Sequence, residues 1–257
     1  MAFRIFESAQ DVIASLAEEF LNYSKQGDAI HISLSGGSTP SRLFRYLAST
    51  EYATRIRWSN LHFWWGDERC VVVSDTDSNY GEAKALLFDH IQIPAKNIHR
   101  IRGELPPAEA AQFFSAEMAD VLLKAERPVY DWVLLGVGED GHTASLFPGQ
   151  TDMQTTEDCV IACHPKTKQQ RISITAPVIA NAKRVSYLVL GATKAPILEA
   201  IYMAKYESSQ TAKFYPAAQI SSTLGVTEWY LDRLAAERIN EKVVNASVVK
   251  KSRRNQL

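Results

Sequence analysis

This chain points to an α/β architecture: a mostly parallel, Rossmann-like open sheet with helices on both faces. Three observations carry that expectation. Short apolar runs alternate with amphipathic stretches, the pattern of repeated strand–helix units. The run Trp132, Val133, Leu134, Leu135 is apolar at every position, as a strand covered on both sides must be. Several runs end in glycine or polar residues, where a parallel strand hands over to its crossover.

Val12, Ile13, Leu16, Ala17, Phe20 and Leu21 form an apolar stripe that predicts a helix over residues 11–23, with Ser8 as N-cap. Residues 30–34 read as a strand. A helix over 40–47 follows, with Thr39 as its cap and Pro40 in the first helical position. Residues 61–65 are strand, 79–88 and 107–125 helix, and 132–135, 171–175 and 185–190 strand. Helices over 194–203 and 227–239 complete the chain. The Pro106-Pro107 pair and residues 149–158 read as loops. With no internal repeat or low-complexity linker, residues 1–257 are expected to form one domain.

Composition narrows the function. The 257 residues are 46% hydrophobic and 22% charged, as in an ordinary soluble globular protein. A net charge of −1 gives no overall attraction for nucleic acid or an anionic membrane, so an anionic ligand would need locally placed cations. No apolar stretch approaches the ~20 residues that span a bilayer, and residues 1–7 lack the apolar core of a signal peptide. Cys70, Cys159 and Cys163 are too few for a disulfide framework, and Cys159, Cys163 and His164 lack the second ligand cluster of a metal site. A cytoplasmic chain without cofactor or metal is expected. Lys250, Lys251, Arg253 and Arg254 read as a solvated basic tail.

Chemistry concentrates at the ends of the predicted strands. After residues 30–34 comes Ser35-Gly36-Gly37-Ser38-Thr39-Pro40. The glycines let backbone N–H groups approach a ligand, the helix N-terminus adds unpaired donors and a positive dipole end, and the hydroxyls of Ser35, Ser38 and Thr39 can add more. No lysine follows the last glycine, so this is not a Walker loop. Lys194 stands where another strand ends and a helix begins, a position suited to a phosphate clamp. Asp67, Glu68 and Arg69 follow the strand over 61–65. Gly136, Gly138 and Gly141 have the spacing of a dinucleotide fingerprint, but Pro148 interrupts the helix that should follow, and the unit is not the first strand–helix turn. What that turn does offer is His142 with Asp140 beside it, a base that a carboxylate can hold in one tautomer.

Together these segments resemble the glucosamine-6-phosphate isomerase/6-phosphogluconolactonase family over nearly the whole chain. The resemblance rests on the Ser35–Pro40 loop and on Trp65-Gly66-Asp67-Glu68-Arg69-Cys70 with Asp77-Ser78-Asn79-Tyr80. It rests also on Gly138-Glu139-Asp140-Gly141-His142-Thr143-Ala144-Ser145-Leu146-Phe147-Pro148, on Arg171-Ile172-Ser173-Ile174-Thr175 and on Lys194. After Asp-Gly-His the deaminase branch reads Ile-Ala-Phe-Asn-Glu-Pro. Here Phe147 stands in place of that glutamate, which favours the lactonase branch.

The resemblance implies hydrolysis of 6-phospho-D-glucono-1,5-lactone in the oxidative pentose phosphate pathway, with His142 as base. It implies that Arg69 and Lys194 grip the phosphate with Gly36, Gly37, Ser38 and Thr39, and that Arg171 assists. Asp67 and Asp140 are both candidates for orienting His142 or the sugar hydroxyls. Ser145 lacks the flanking glycines of a nucleophile elbow, so direct attack by water is expected. The partner implied is a small phosphorylated sugar lactone. An aminosugar-phosphate isomerase/deaminase and a non-catalytic sugar-phosphate sensor remain the alternatives, although no helix-turn-helix extension accompanies the α/β unit.

Overall fold

The computed structural model describes residues 1–124, 126–206 and 214–239. The elements are β1 (Ala2–Phe6), α1 (Ala9–Ser24), β2 (Ile30–Leu34), α2 (Ser38–Leu47), α3 (Thr50–Ala53), β3 (Leu61–Trp65), β4 (Asp67–Arg69), α4 (Asn79–Leu86) and α5 (Pro107–Leu122). They continue with β5 (Leu123–Lys124), β6 (Arg127–Pro128), β7 (Trp132–Gly136), β8 (Cys159–Cys163), β9 (Gln170–Ile174), α6 (Ala176–Ala180), β10 (Arg184–Val189), α7 (Ala195–Tyr206), α8 (Pro216–Gln219), β11 (Val226–Asp232) and α9 (Arg233–Ala236).

Six strands form a parallel sheet in the order β1-β11-β10-β7-β2-β3. From β2 the chain moves through α2 to β3 at one edge. From β7 it moves the other way, to β10. Right-handed crossovers therefore put α1 and α2, which pack on each other, on one face, and α5, α6 and α7 on the other. The strand order reverses between β2 and β7. The crevice beyond their carboxyl ends is where open α/β sheets bind ligands. Trp132, Val133, Leu134 and Leu135 are all fully buried, as a strand between two helical layers requires.

A second sheet, β4-β9-β8, is antiparallel. Its β4 follows directly on β3 and pairs with β9, which was expected simply as a further strand of the alternating strand–helix pattern. This small sheet stands beyond the carboxyl edge of the large one and walls the crevice.

Helix boundaries follow local chemistry. Ser8 caps α1 as expected, with a reciprocal capping box: its Oγ accepts from Asp11 N–H and its own N–H donates to the Asp11 carboxylate. The expected cap at Thr39 is displaced. Gly37, with φ of 102°, is the cap of α2, and Pro40 falls in the third helical position, still within the turn whose N–H groups have no intrahelical partner. Residues 107–122 are helical, but the expected continuation to 125 instead turns into the short β5–β6 ribbon; Ala125 lies outside the described residues. The helix over 79–88 ends at Leu86, followed by a 3₁₀ turn over Phe88–His90.

The helix expected over 227–239 is a correction. Val226–Asp232 is a strand between β1 and β10, and only Arg233–Ala236 is helical. Trp229, Tyr230 and Leu231 are buried on both faces, and such a continuous apolar run has no period that separates strand from helix. The basic tail of Lys250, Lys251, Arg253 and Arg254 lies outside the described residues.

Candidate active site

A cavity of about 290 Å³ opens beyond the carboxyl ends of β2 and β7. The loop after β2 supplies Ser35 to Pro40, β4 supplies Asp67 and Arg69, and α4 supplies Asn79. The turn after β7 supplies Val137, Gly138, His142 and Ala144; β9 brings Arg171, and the turn before α7 brings Lys194. Of the residues singled out in the sequence, Gly36, Gly37, Ser38, Thr39, Asp67, Arg69, His142, Arg171 and Lys194 all line this one cavity. Asp140 lies behind His142.

One side of the cavity is built from the start of α2. The first intrahelical bond runs from Ser41 N–H to Gly37 C=O at 3.0 Å, so the N–H groups of Ser38 and Thr39 precede it and point out of the helix end. Gly36 lets this loop press on the α4 cap region: a β-carbon there would lie 1.8 Å from Asn79 Oδ1. Asn79 is itself held by a bond from Nδ2 to Asp67 C=O at 2.8 Å. The Ser35 hydroxyl, expected as a further donor, is committed elsewhere. It donates to Leu134 C=O at 2.7 Å and ties the ends of β2 and β7 together.

Arg69 and Arg171 stand directly opposite each other on β4 and β9. Like charges so placed are unfavourable unless something anionic sits with them. Arg69 donates from one terminal nitrogen to Asp77 C=O at 2.5 Å. Arg171 faces the Asp67 carboxylate at 3.9 Å and lies over the Phe147 ring. The Nε atoms of both arginines are buried without a hydrogen-bond partner. Burial holds the Arg171 guanidinium below its ordinary value, with the charge of Arg69 adding to this and Asp67 opposing it. Lys194, half-buried after β10, has no ion pair with a described residue. Two guanidiniums, one ammonium and a helix N-terminus thus converge on a small space, an arrangement suited to a phosphate.

On the other side stands His142, the candidate base. His142 Nδ1 lies 2.5 Å from Asp140 Oδ1, and the His142 backbone N–H reaches the same oxygen at 3.1 Å. This fixes the ring orientation and leaves Nε2 for a molecule in the cavity. Burial pushes the Asp140 carboxyl up, but the charge and hydrogen bonds of His142 outweigh it and hold the group below the ordinary aspartate range. Phe147, fully buried, packs its ring 4.9 Å from the imidazole.

The two aspartates separate here. Asp140 bonds His142. Asp67 accepts from Ser145 Oγ at 2.6 Å and faces Arg171, so it belongs to the cation side. Ser145 is fully buried with its hydroxyl spent on Asp67, which leaves it no part as a nucleophile. Glu68 takes no place in the cavity. Its carboxylate accepts from the N–H groups of Arg69, Asn79 and Tyr80, so it holds the start of α4 against β4, although burial pushes its carboxyl up. Sequence reasoning gave Asn79 and Phe147 no contact in the site. In the sequence Asn79 stands only within the Asp77-Ser78-Asn79-Tyr80 segment of the resemblance and as the first residue of the helix expected over 79–88.

Residues 6–229 match the family model described as glucosamine-6-phosphate isomerases/6-phosphogluconolactonase. A 6-phosphogluconolactonase of Haemophilus influenzae is 53% identical over 230 residues, 90% of this chain and 96% of its own. A solved structure titled devB protein superposes with a TM-score of 0.89 at 56% identity, covering 93% of this chain and 99% of that one. A monomeric glucosamine-6-phosphate deaminase shares the fold with a TM-score of 0.76 at 19% identity, over 93% of this chain and all of its own. Match length and identity together establish that this chain belongs to the glucosamine-6-phosphate isomerase/6-phosphogluconolactonase family.

Proposed function

We propose that this chain hydrolyses 6-phospho-D-glucono-1,5-lactone to 6-phospho-D-gluconate, the lactonase step of the oxidative pentose phosphate pathway, in the cytoplasm. The observation that carries this reading is the lining of one cavity by the Asp140-held His142 and by Arg69, Arg171, Lys194 and the α2 N-terminus. The lactonase named among the similar proteins supports the same substrate. Among the described residues no helix is long and apolar enough to cross a membrane.

The α2 N–H groups and the three cations bind the substrate phosphate and so fix where the far end of the ring, the lactone carbonyl, lies. His142 Nε2 takes a proton from a water as its oxygen bonds to the carbonyl carbon. The bond from that carbon to the ring oxygen then breaks, and the imidazolium returns the proton to the leaving oxygen. The new carboxylic acid ionises to gluconate. Asp140 stabilises the imidazolium between the two transfers. Asp67 holds Arg171 on the phosphate side. Phe147 puts an apolar ring, with no carboxylate, against the imidazole, which favours hydrolysis over the proton shuttling of aminosugar isomerisation.

Proton release on freshly made lactone, corrected for spontaneous hydrolysis, tests the reading. Turnover well above background is the expected result. Ammonia release from glucosamine 6-phosphate would instead identify a deaminase, and binding of 6-phosphogluconate without turnover a sensor.

A further inference from the structure

We propose that His31, His62 and His99 form a binding site for one divalent transition-metal ion of the zinc class, at the end of the parallel sheet away from the cavity. His31 and His62 are each the second residue of their strand, whereas the cavity lies past the last residues. The parallel register pairs them directly, on one face of β2 and β3. His99 joins them because its N–H donates to Phe63 C=O at 2.8 Å, extending the sheet edge. One ring nitrogen from each histidine lies within 4.8 Å of the other two.

The geometry is close to that of a site. Bonds of 2.0–2.1 Å to a tetrahedral ion put ligand nitrogens ~3.3 Å apart. His62 Nδ1 and His99 Nε2 are already 3.0 Å apart, so this pair opens slightly while the larger adjustment, from within 4.8 Å, falls to His31. His99 is oriented as metal-binding histidines are: Nδ1 is held by Glu117 Oε1 at 2.7 Å, its ring stacks on Trp64 at 4.0 Å, and Nε2 faces the other rings. His62 is half-buried, which gives an ion a way in and lets its proton pass through solvent from Nδ1 to Nε2 as the ion binds. Three imidazole ligands without a carboxylate among them favour zinc, nickel or copper over magnesium or calcium.

His31 Nδ1 now accepts from Trp64 Nε1 at 3.1 Å, so an ion that draws His31 inward disturbs the indole and reports itself in tryptophan fluorescence. Such an ion would pin β3, the edge strand, to β2 and to the segment at His99, and stabilise the fold by mass action. A metal-free chain was expected from the cysteines and their sequence neighbour His164. The three histidines here are scattered along the chain and meet only through strand pairing.

The test is a titration of the full, metal-stripped chain with Co²⁺ and with Zn²⁺. The expected result is one equivalent bound, tetrahedral d–d bands without a thiolate charge-transfer band, a rise in thermal midpoint and a change in tryptophan fluorescence. His62→Ala should abolish all four effects, and Glu117→Gln, which removes no ligand, should weaken binding ~10–100-fold. Lactone hydrolysis should be unchanged in both variants. No stoichiometric binding by the parent, a thiolate band, or undiminished affinity in either variant would overturn the site.

Discussion

Gly138 and His142 share one turn so closely that a β-carbon on Gly138 would lie 2.1 Å from His142 Nδ1. The imidazole occupies the space that a side chain would need. Gly138 N–H also donates to His142 C=O at 2.9 Å, which closes the turn. Its backbone is not in the left-handed region, so the glycine is required for room and not for conformation. Gly138→Ala should therefore fold, displace the ring from Asp140, and lower kcat by ~10²-fold with little change in the binding of 6-phosphogluconate. Steady-state kinetics beside product-binding calorimetry check this, and an unchanged kcat would refute it.

His142→Ala removes the proposed base itself. Turnover should fall ~10²–10⁴-fold while product affinity persists, because the phosphate contacts lie across the cavity. Asp140→Asn keeps the shape but gives up the charge that steadies the imidazolium, so it should lower kcat more than it raises KM.

The pH profile follows from the same pair. With Asp140 held below the ordinary aspartate range by His142, it stays ionised as pH falls through that range. Loss of kcat/KM on the acid side should then track protonation of a single group, and disappear from the residual rate of His142→Ala. A second acid-limb ionisation belonging to Asp140 would contradict this.

On the cation side, Lys194→Ala and Arg69→Lys should each weaken 6-phosphogluconate and raise KM with a smaller effect on kcat. A charge-assisted hydrogen bond is worth ~1.5–3 kcal/mol, which converts to roughly 10–150-fold in affinity. Arg69→Lys should not be silent, since a point charge cannot reproduce the planar fork opposite Arg171. Rising salt should weaken the parent's product binding more than that of Lys194→Ala.

Away from the site, Arg184 pairs with Glu19 at 2.9 Å and Glu228 at 2.8 Å, and Arg4 joins the same group. Burial pushes the Glu19 carboxyl up, but the Arg184 and Arg4 contacts outweigh it and hold it below the ordinary range. A carboxyl lowered by folding adds stability that is present above its unfolded value and lost as pH falls through the folded one. Glu19→Gln should lower Tm by about 2–4 °C at neutral pH for a ~1 kcal/mol effect in a partly solvated pair, and the gap should close in acid. Thermal melts across pH decide it.

What was legible in the linear chain is what neighbouring residues dictate. The Gly36-Gly37 loop ahead of a helix, the Asp140–His142 turn after an apolar strand and the Ser8 cap of α1 all act over a few residues, so their chemistry is written in short spacings. Even there the register slipped by two residues at α2, because the positive φ of Gly37, and not the side chain of Thr39, sets the helix start. Residues 227–232 were misread because Trp229, Tyr230 and Leu231, buried on both faces, carry no period. The meeting of Arg69 with Arg171, the different partners of Asp67 and Asp140, the capture of the Ser35 hydroxyl by Leu134 and the gathering of His31, His62 and His99 were decided by folding alone. Each depends on pairing between segments distant in sequence, and such pairing leaves no local pattern, because the hydrogen bonds that set it exist only once the sheet is assembled.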